Sequence, residues 1–270
     1  MPNTLYLADL LEKEYPAVYG QIALACAEFG QELKPIPHTR DIWVRDFMPV
    51  VLPDGSLLEY RYDPDYLQGI GEDTRGSKSY PDFICQKMGL STTKTDIILD
   101  GGNAIRQGKT LIMTEKVLHE NRSNYTSDEL ETELKKRFQV DKIVFIAWDP
   151  DDEYGHADSM LRFIDENTVL VNYYYKGYSR VTQPLKKAGF NLHFLKFTNI
   201  KAENDRYWPY LNFVQTDKLM LYTAIDEHYD KEAKEQFEEL FPAYKGRMRG
   251  IHMPELIKQG GALHCISWVV

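Results

Sequence analysis

Cysteine is scarce in this chain, with only Cys26, Cys85 and Cys265 among 270 residues. So sparse and odd a set is no disulfide framework, and a reducing cytoplasm is the expected compartment. No CxxC or HExxH spacing occurs, so neither a structural zinc nor any other metal or cofactor is expected. Long apolar runs are also missing. None approaches the roughly 20 residues of a membrane span. Residues 1–4 show no basic stretch leading into an apolar one, so no secretory signal is expected. No Gly/Ser-rich or Pro-rich tract marks a linker, and a single domain over residues 1–270 is expected. Basic charge is in deficit: 32 Lys and Arg face 41 Asp and Glu, a net charge of −9. That balance disfavours nucleic acid as a partner and favours cationic ligands. Hydrophobic residues are plentiful at 43%, enough to exclude disorder for most of the chain.

What recurs is a strand–turn–strand pattern. Residues 41–51, 96–105, 157–164 and 210–214 each read as a first strand. Turns follow at 53–55, 107–109, 165–167 and 215–217, carrying Asp, Gly or Asn, which tolerate the backbone angles of tight turns. Second strands begin at Ser56, Thr110, Thr168 and Lys218, spaced by 54, 58 and 50 residues. Helical patterns lie between units, at residues 14–30, 126–138 and about 231–241. Thr126 and Glu129 form a capping-box pattern ahead of Leu130, Leu134 and Phe138. A strand such as residues 142–146 then leads into the next hairpin, so the unit reads as ββαβ. A fifth unit at residues 260–268 lacks its helix and last strand, which the N-terminus would supply. A circular α/β repeat is predicted; an α+β domain with coincidental hairpins is the alternative.

Reactive residue types cluster near the start of each unit: Asp46, then Asn103 after Gly101 and Gly102, then His156 and Asp158, then Asn212, then Cys265 after Gly260 and Gly261. Equivalent positions of a circular repeat converge on the axis, so one central site is predicted. A Cys with a His supplies a nucleophile and a proton carrier. Two carboxylates beside them repel anions but pair well with a planar cation bearing several N–H donors. The set suits substitution at a guanidinium or amidine carbon. Cys26, on an apolar helix face, and Cys85 read as core. His264 reads as structural, since strand alternation turns it away from Cys265. Asp100 and Asn103 are undecided between substrate contact and a tight bend. Trp43 either walls the site or packs in the core. The acidic run Asp149, Asp151, Asp152, Glu153 reads as a solvated loop or as a cation-attracting rim.

The motifs Trp43-Val-Arg-Asp46, Leu99-Asp-Gly-Gly-Asn103, Glu120-Asn-Arg122, Gly155-His-Ala-Asp158, Tyr210-Leu-Asn-Phe213 and Gly260-Gly-Ala-Leu-His-Cys265 resemble those of agmatine deiminases and Porphyromonas-type peptidylarginine deiminases. The resemblance runs over residues 40–267 in the family's order. It implies the pentein fold, a five-bladed α/β propeller. It implies Cys265 as nucleophile, His156 as acid and base, and Asp46 and Asp158 as guanidinium ligands. Asn212, Trp43, Asn103 and Asp100 are the candidate substrate-binding residues. The implied reaction is hydrolytic deimination of a small cationic guanidino compound, foremost agmatine to N-carbamoylputrescine and ammonia, through a thiouronium-type adduct. Alternatives are a deiminase, dihydrolase or amidinotransferase of arginine or another guanidine, and a non-catalytic pentein binding module. A homo-oligomer is left open. Three departures bear on the substrate: the chain is shorter than agmatine deiminases usually are, Tyr154 stands where they carry Asn or Asp, and Asp100 stands where they carry Glu.

Overall fold

The computed structural model describes residues 4–68, 76–198 and 207–270. It contains five three-stranded sheets among them. The first four follow one plan. β3 (Val50–Val51), β4 (Leu57–Arg61) and β5 (Thr92–Ile98) form one sheet, and β6 (Ile105–Gln107), β7 (Thr110–Thr114) and β8 (Lys142–Ile146) the next. β9 (Leu161–Phe163), β10 (Thr168–Asn172) and β11 (Asn191–Leu195) form the third, and β12 (Val214–Gln215), β13 (Met220–Ala224) and β14 (Met248–His252) the fourth. In each sheet the first strand pairs antiparallel with the second, and the second pairs parallel with the third. A parallel return requires a crossover. Helices at Pro81–Met88, Ser127–Phe138, Ser179–Lys187 and Glu227–Leu240 supply it.

The fifth sheet closes the ring. β15 (Ser267–Val269) pairs antiparallel with β1 (Leu5–Ala8), which pairs parallel with β2 (Leu33–Ile36). The N-terminal segment therefore gives the middle strand as well as the helix and last strand, one element more than the sequence suggested. This is the α/β propeller of ββαβ units, the pentein fold.

Local chemistry explains the helices. Thr126 accepts from the Glu129 N–H while Glu129 bonds back to the Thr126 N–H, and Leu130, Leu134 and Phe138 are buried along one face. Pro16 starts the helix Pro16–Phe29, which stops at Gly30 in the left-handed region at φ 63°. That helix buries Cys26 and the helix Pro81–Met88 buries Cys85. Middle strands are covered on both faces, so Leu111, Ile112 and Met113, like Val169, Leu170 and Val171, are inaccessible to solvent. No helix among the described residues is long and apolar enough to cross a membrane.

The first strands are much shorter than the sequence suggested. Residues 41–51 hold a helical turn, Val44–Phe47, before two residues of β3. The stretch from Asp96 to Ile98 closes the preceding sheet as the end of β5 rather than opening a hairpin. Tight turns at Gly101–Asn103, Ala157–Ser159 and Trp208–Tyr210 likewise precede β6, β9 and β12. An apolar run of this length has the same composition as a strand; the close approach of five chains at the axis decides for turns.

Candidate active site

These turns carry the reactive side chains, and the ring gathers them. The Arg45 N–H donates to the Cys265 carbonyl at 3.0 Å, tying the first turn to the last. The Asn212 side-chain oxygen accepts from the backbone N–H groups of His264 and Cys265 at 2.9 and 3.2 Å, and from the Cys265 thiol at 3.3 Å. Its Nδ2 is buried with no partner among the described residues. Asn212 thus grips the turn that presents the nucleophile candidate. Gly102 donates to Asp46 Oδ1 at 3.3 Å, and a Cβ here would lie 2.7 Å from His156 Nδ1. Only glycine lets the backbone come so close.

His156 sits between two carboxylates, with Nδ1 3.6 Å from Asp46 Oδ1 and Nε2 3.0 Å from Asp100 Oδ2. Burial disfavours its cation, but Asp46 and Asp100 outweigh that and raise it well above the ordinary histidine range. Burial pushes the Asp46 carboxyl up to about 8 against the pull of His156, with Asp100 and Asp158 adding to the rise. Asp158 faces the Cys265 sulfur at 3.9 Å and accepts from His264 Nδ1 at 2.6 Å. Burial would raise Asp158, yet the His264 hydrogen bond holds it below its usual value. Burial, with Arg162 and Arg45 nearby, keeps His264 neutral. Burial, Asp158 and Asp46 together raise the Cys265 thiol well above its ordinary value. The site therefore brings together a thiol, a histidine drawn toward its cation and the carboxyl groups of Asp46 and Asp158, of which Asp158 ionises the more readily.

Two recesses meet at Cys265 and His156. One, of about 220 Å³, is walled by Trp43, Asp46, Tyr62 and Tyr66. The other, of about 370 Å³, is walled by Asp149, Asp152, Glu153, Trp208 and Asn212. Tyr154 lines both, and a Cβ on Gly260 would sit 3.1 Å from its ring. A Cβ on Gly261 would collide with Trp43 at 2.0 Å. The acidic run is thus a wall, and Asp149 is buried, accepting from the Tyr175 hydroxyl at 2.7 Å.

Cys265, His156, Asp46, Asp158, Asn212 and Trp43 thus come together. Asp100 and Asn103 lie behind the recess walls. Asp100 Oδ2 contacts His156 and the Tyr66 hydroxyl while its Oδ1 is buried without a hydrogen-bond partner among the described residues, and Asn103 Oδ1 accepts from the Thr114 N–H at 2.8 Å. His264 departs from expectation. It lies in a turn, not a strand, so alternation does not apply, and it reaches Asp158. Tyr66 and Tyr60 escaped the sequence reading altogether; Tyr60 donates to the Asp46 carbonyl at 2.6 Å. Neither lies in a motif, and only the fold brings them here.

Residues 22–270 match the sequence profile of Porphyromonas-type peptidyl-arginine deiminases. The chain belongs to that family. Solved structures share its fold. The C. jejuni agmatine deiminase matches with a TM-score of 0.74 at 19% identity, over 99% of this chain and 92% of that one. The Enterococcus faecalis agmatine deiminase gives 0.73 at 19%, over 99% and 93%. A dimethylarginine dimethylaminohydrolase gives 0.62 at 14%, over the whole of both chains. Enzymes named for different guanidines thus share this fold, so the substrate must be argued from the side chains.

Proposed function

We propose that this family member hydrolyses the C–N bond of a small guanidine, with residues 1–270 acting as one guanidine-modifying domain. The observation that carries the reading is the convergence of Cys265, His156 and the carboxylates of Asp46 and Asp158 on one point. A guanidinium entering between Asp46 and Asp158 neutralises the charges that hold Cys265 as a thiol, so binding itself generates the nucleophile. The thiolate attacks the central carbon. His156 gives its proton to the leaving amine, ammonia departs, and an S-linked amidino adduct remains on Cys265. Neutral His156 then takes a proton from water, whose oxygen attacks the same carbon and releases the ureido product and the thiolate.

Agmatine fits the larger recess best. Its tail ends in an ammonium, which Asp149, Asp152 and Glu153 attract, while Trp208 offers an aromatic face. Arginine would bring a carboxylate to the same wall. The test is kcat/KM for agmatine, arginine and a blocked peptidyl-arginine under one salt condition, with the ureido product quantified. Agmatine leads on this reading; arginine ahead by tenfold, about 1.4 kcal/mol of transition-state preference, overturns the choice of tail. Release of no ureido product from any guanidine overturns the reaction. Acid-quenched mass spectrometry should find the adduct on Cys265 and none in Cys265→Ala.

A further inference from the structure

Further along the inner strands, beyond the catalytic turns, lies a separate cavity of about 220 Å³. It touches all five sheets, through Val50, Ile105, Phe163, Gln215 and Trp268. Three arginines line it, Arg45, Arg106 and Arg162, with His264 beside them. No Asp or Glu lines it, in a chain that carries nine more acidic than basic residues. The recesses at Cys265, by contrast, carry several carboxyl groups.

Asp158 acts on Arg45 and Arg162, and Asp46 on Arg45, only from outside ion-pair distance. None of the three arginines forms an ion pair with a described residue. Arg106 donates to the Val51 and Gly108 carbonyls and Arg45 Nε to the His264 carbonyl, so their partners are neutral. Arg162 stacks over the Phe213 ring at 4.6 Å, and its Nη1 is buried without a hydrogen-bond partner. Buried guanidinium groups with unmet donors are costly unless something supplies oxygens. The burial cost is visible in Arg162, pulled down to about 10 with Asp158 only partly opposing.

We propose that this cavity is a binding site for one small oxyanion, a phosphate or a small carboxylate. Guanidinium forks match such groups through paired hydrogen bonds. Gln107 and Gln215 line the same space. Its volume suits an ion of a few heavy atoms, since one water claims roughly 30 Å³ of liquid. The site is also coupled to the nucleophile. Arg45 and Arg162 feel the charge of Cys265 and Asp158 through the intervening turns. An anion there offsets the positive field that favours a Cys265 thiolate, so its occupancy slows thiolate chemistry at the far end of the axis. The proposal does not depend on the guanidine reaction.

The probes are inorganic phosphate and acetate, titrated calorimetrically into the full chain at ionic strength held constant with sodium chloride. Saturable binding of one ion per chain is expected, and the tighter of the two ions names the source. Gln215→Glu, nearly isosteric, places a carboxylate beside the arginines and should weaken binding by about tenfold or more. Arg106→Gln, which removes one fork, should weaken it as well and decides the matter if Gln215→Glu fails to fold. In parallel, the bound ion should slow alkylation of Cys265 by neutral iodoacetamide in the wild type but not in Gln215→Glu. Absence of saturable binding by either ion overturns the proposal. So does binding of equal strength in the folded variants, which marks an adventitious ion elsewhere.

Discussion

At the scale of the residue, the candidate site is an exercise in opposed charges. Asp100 touches His156 rather than either recess, so the proposed reaction gives it a positioning role with a pH signature. In the proposed reaction His156 must be protonated to release the amine, and its pKa is raised, so activity should persist through neutral pH and fall only as pH rises through that value. Asp100→Asn removes part of the raising influence. The alkaline limb of kcat should then move to lower pH, while a merely structural role would lower kcat without moving the limb. Asp158 allows a second test. A cationic haloacetamidine should label Cys265 faster than neutral iodoacetamide by about tenfold or more, since it brings its own charge to Asp46 and Asp158. In Asp158→Asn this preference should collapse. An unchanged ratio in rapid-quench labelling removes the carboxylate pair from the argument.

At the scale of the element, catalytic geometry and stability separate. The capping box of Thr126 and Glu129 lies on an outer helix, away from the axis. Thr126→Ala should cost about 1 kcal/mol in urea unfolding and leave kcat unchanged. Gly102 is the converse case. A methyl group there meets His156 Nδ1 at 2.7 Å and Asp46 Oδ1 at 2.8 Å, so the two side chains must part. Gly102→Ala should lower kcat by up to about a hundredfold, the scale of a misplacement near 1 Å. A thermal melt should show a much smaller proportional loss. Equal activity in Gly102→Ala would mean that the His156–Asp46 contact is not needed.

At the scale of the whole molecule, closure of the ring joins distant sequence. Thr4 and Val270 exchange both backbone hydrogen bonds, and Leu5, Leu7, Leu11 and Ile36 are essentially sealed from solvent. Cys265 lies two residues before β15, whose sheet neighbour among the described residues is β1. Deleting residues 4–36 should therefore abolish cooperative unfolding and activity together. Leu7→Ala should cost about 2–5 kcal/mol, the range for emptying a buried leucine site, measured by urea titration. A truncated chain that still melts cooperatively would show that the other four sheets stand alone.

The number of units, their ββαβ order, the capped helix at 127–138 and the candidate site residues that converge in the fold could be read from the chain alone. Those are properties of local periodicity, turn chemistry and residue type, and they survive without knowledge of the fold. Cys265, His156, Asp46 and Asp158 were legible because each sits at an equivalent point of a repeat and in a motif. The remainder depends on three-dimensional packing, where several turns crowd one axis. There the inner strands shrink to two or three residues, and His264 turns toward Asp158 instead of away. Asp100 is placed behind His156, and Asn103 and Asn212 spend their side-chain oxygens on backbone N–H groups. Arg45 comes from the helical turn Val44–Phe47 and Arg106 and Arg162 from two different sheets, with 116 residues between the first and the last. Hydrogen-bond partners and local fields depend on such distances, which residue type and spacing along one chain do not contain.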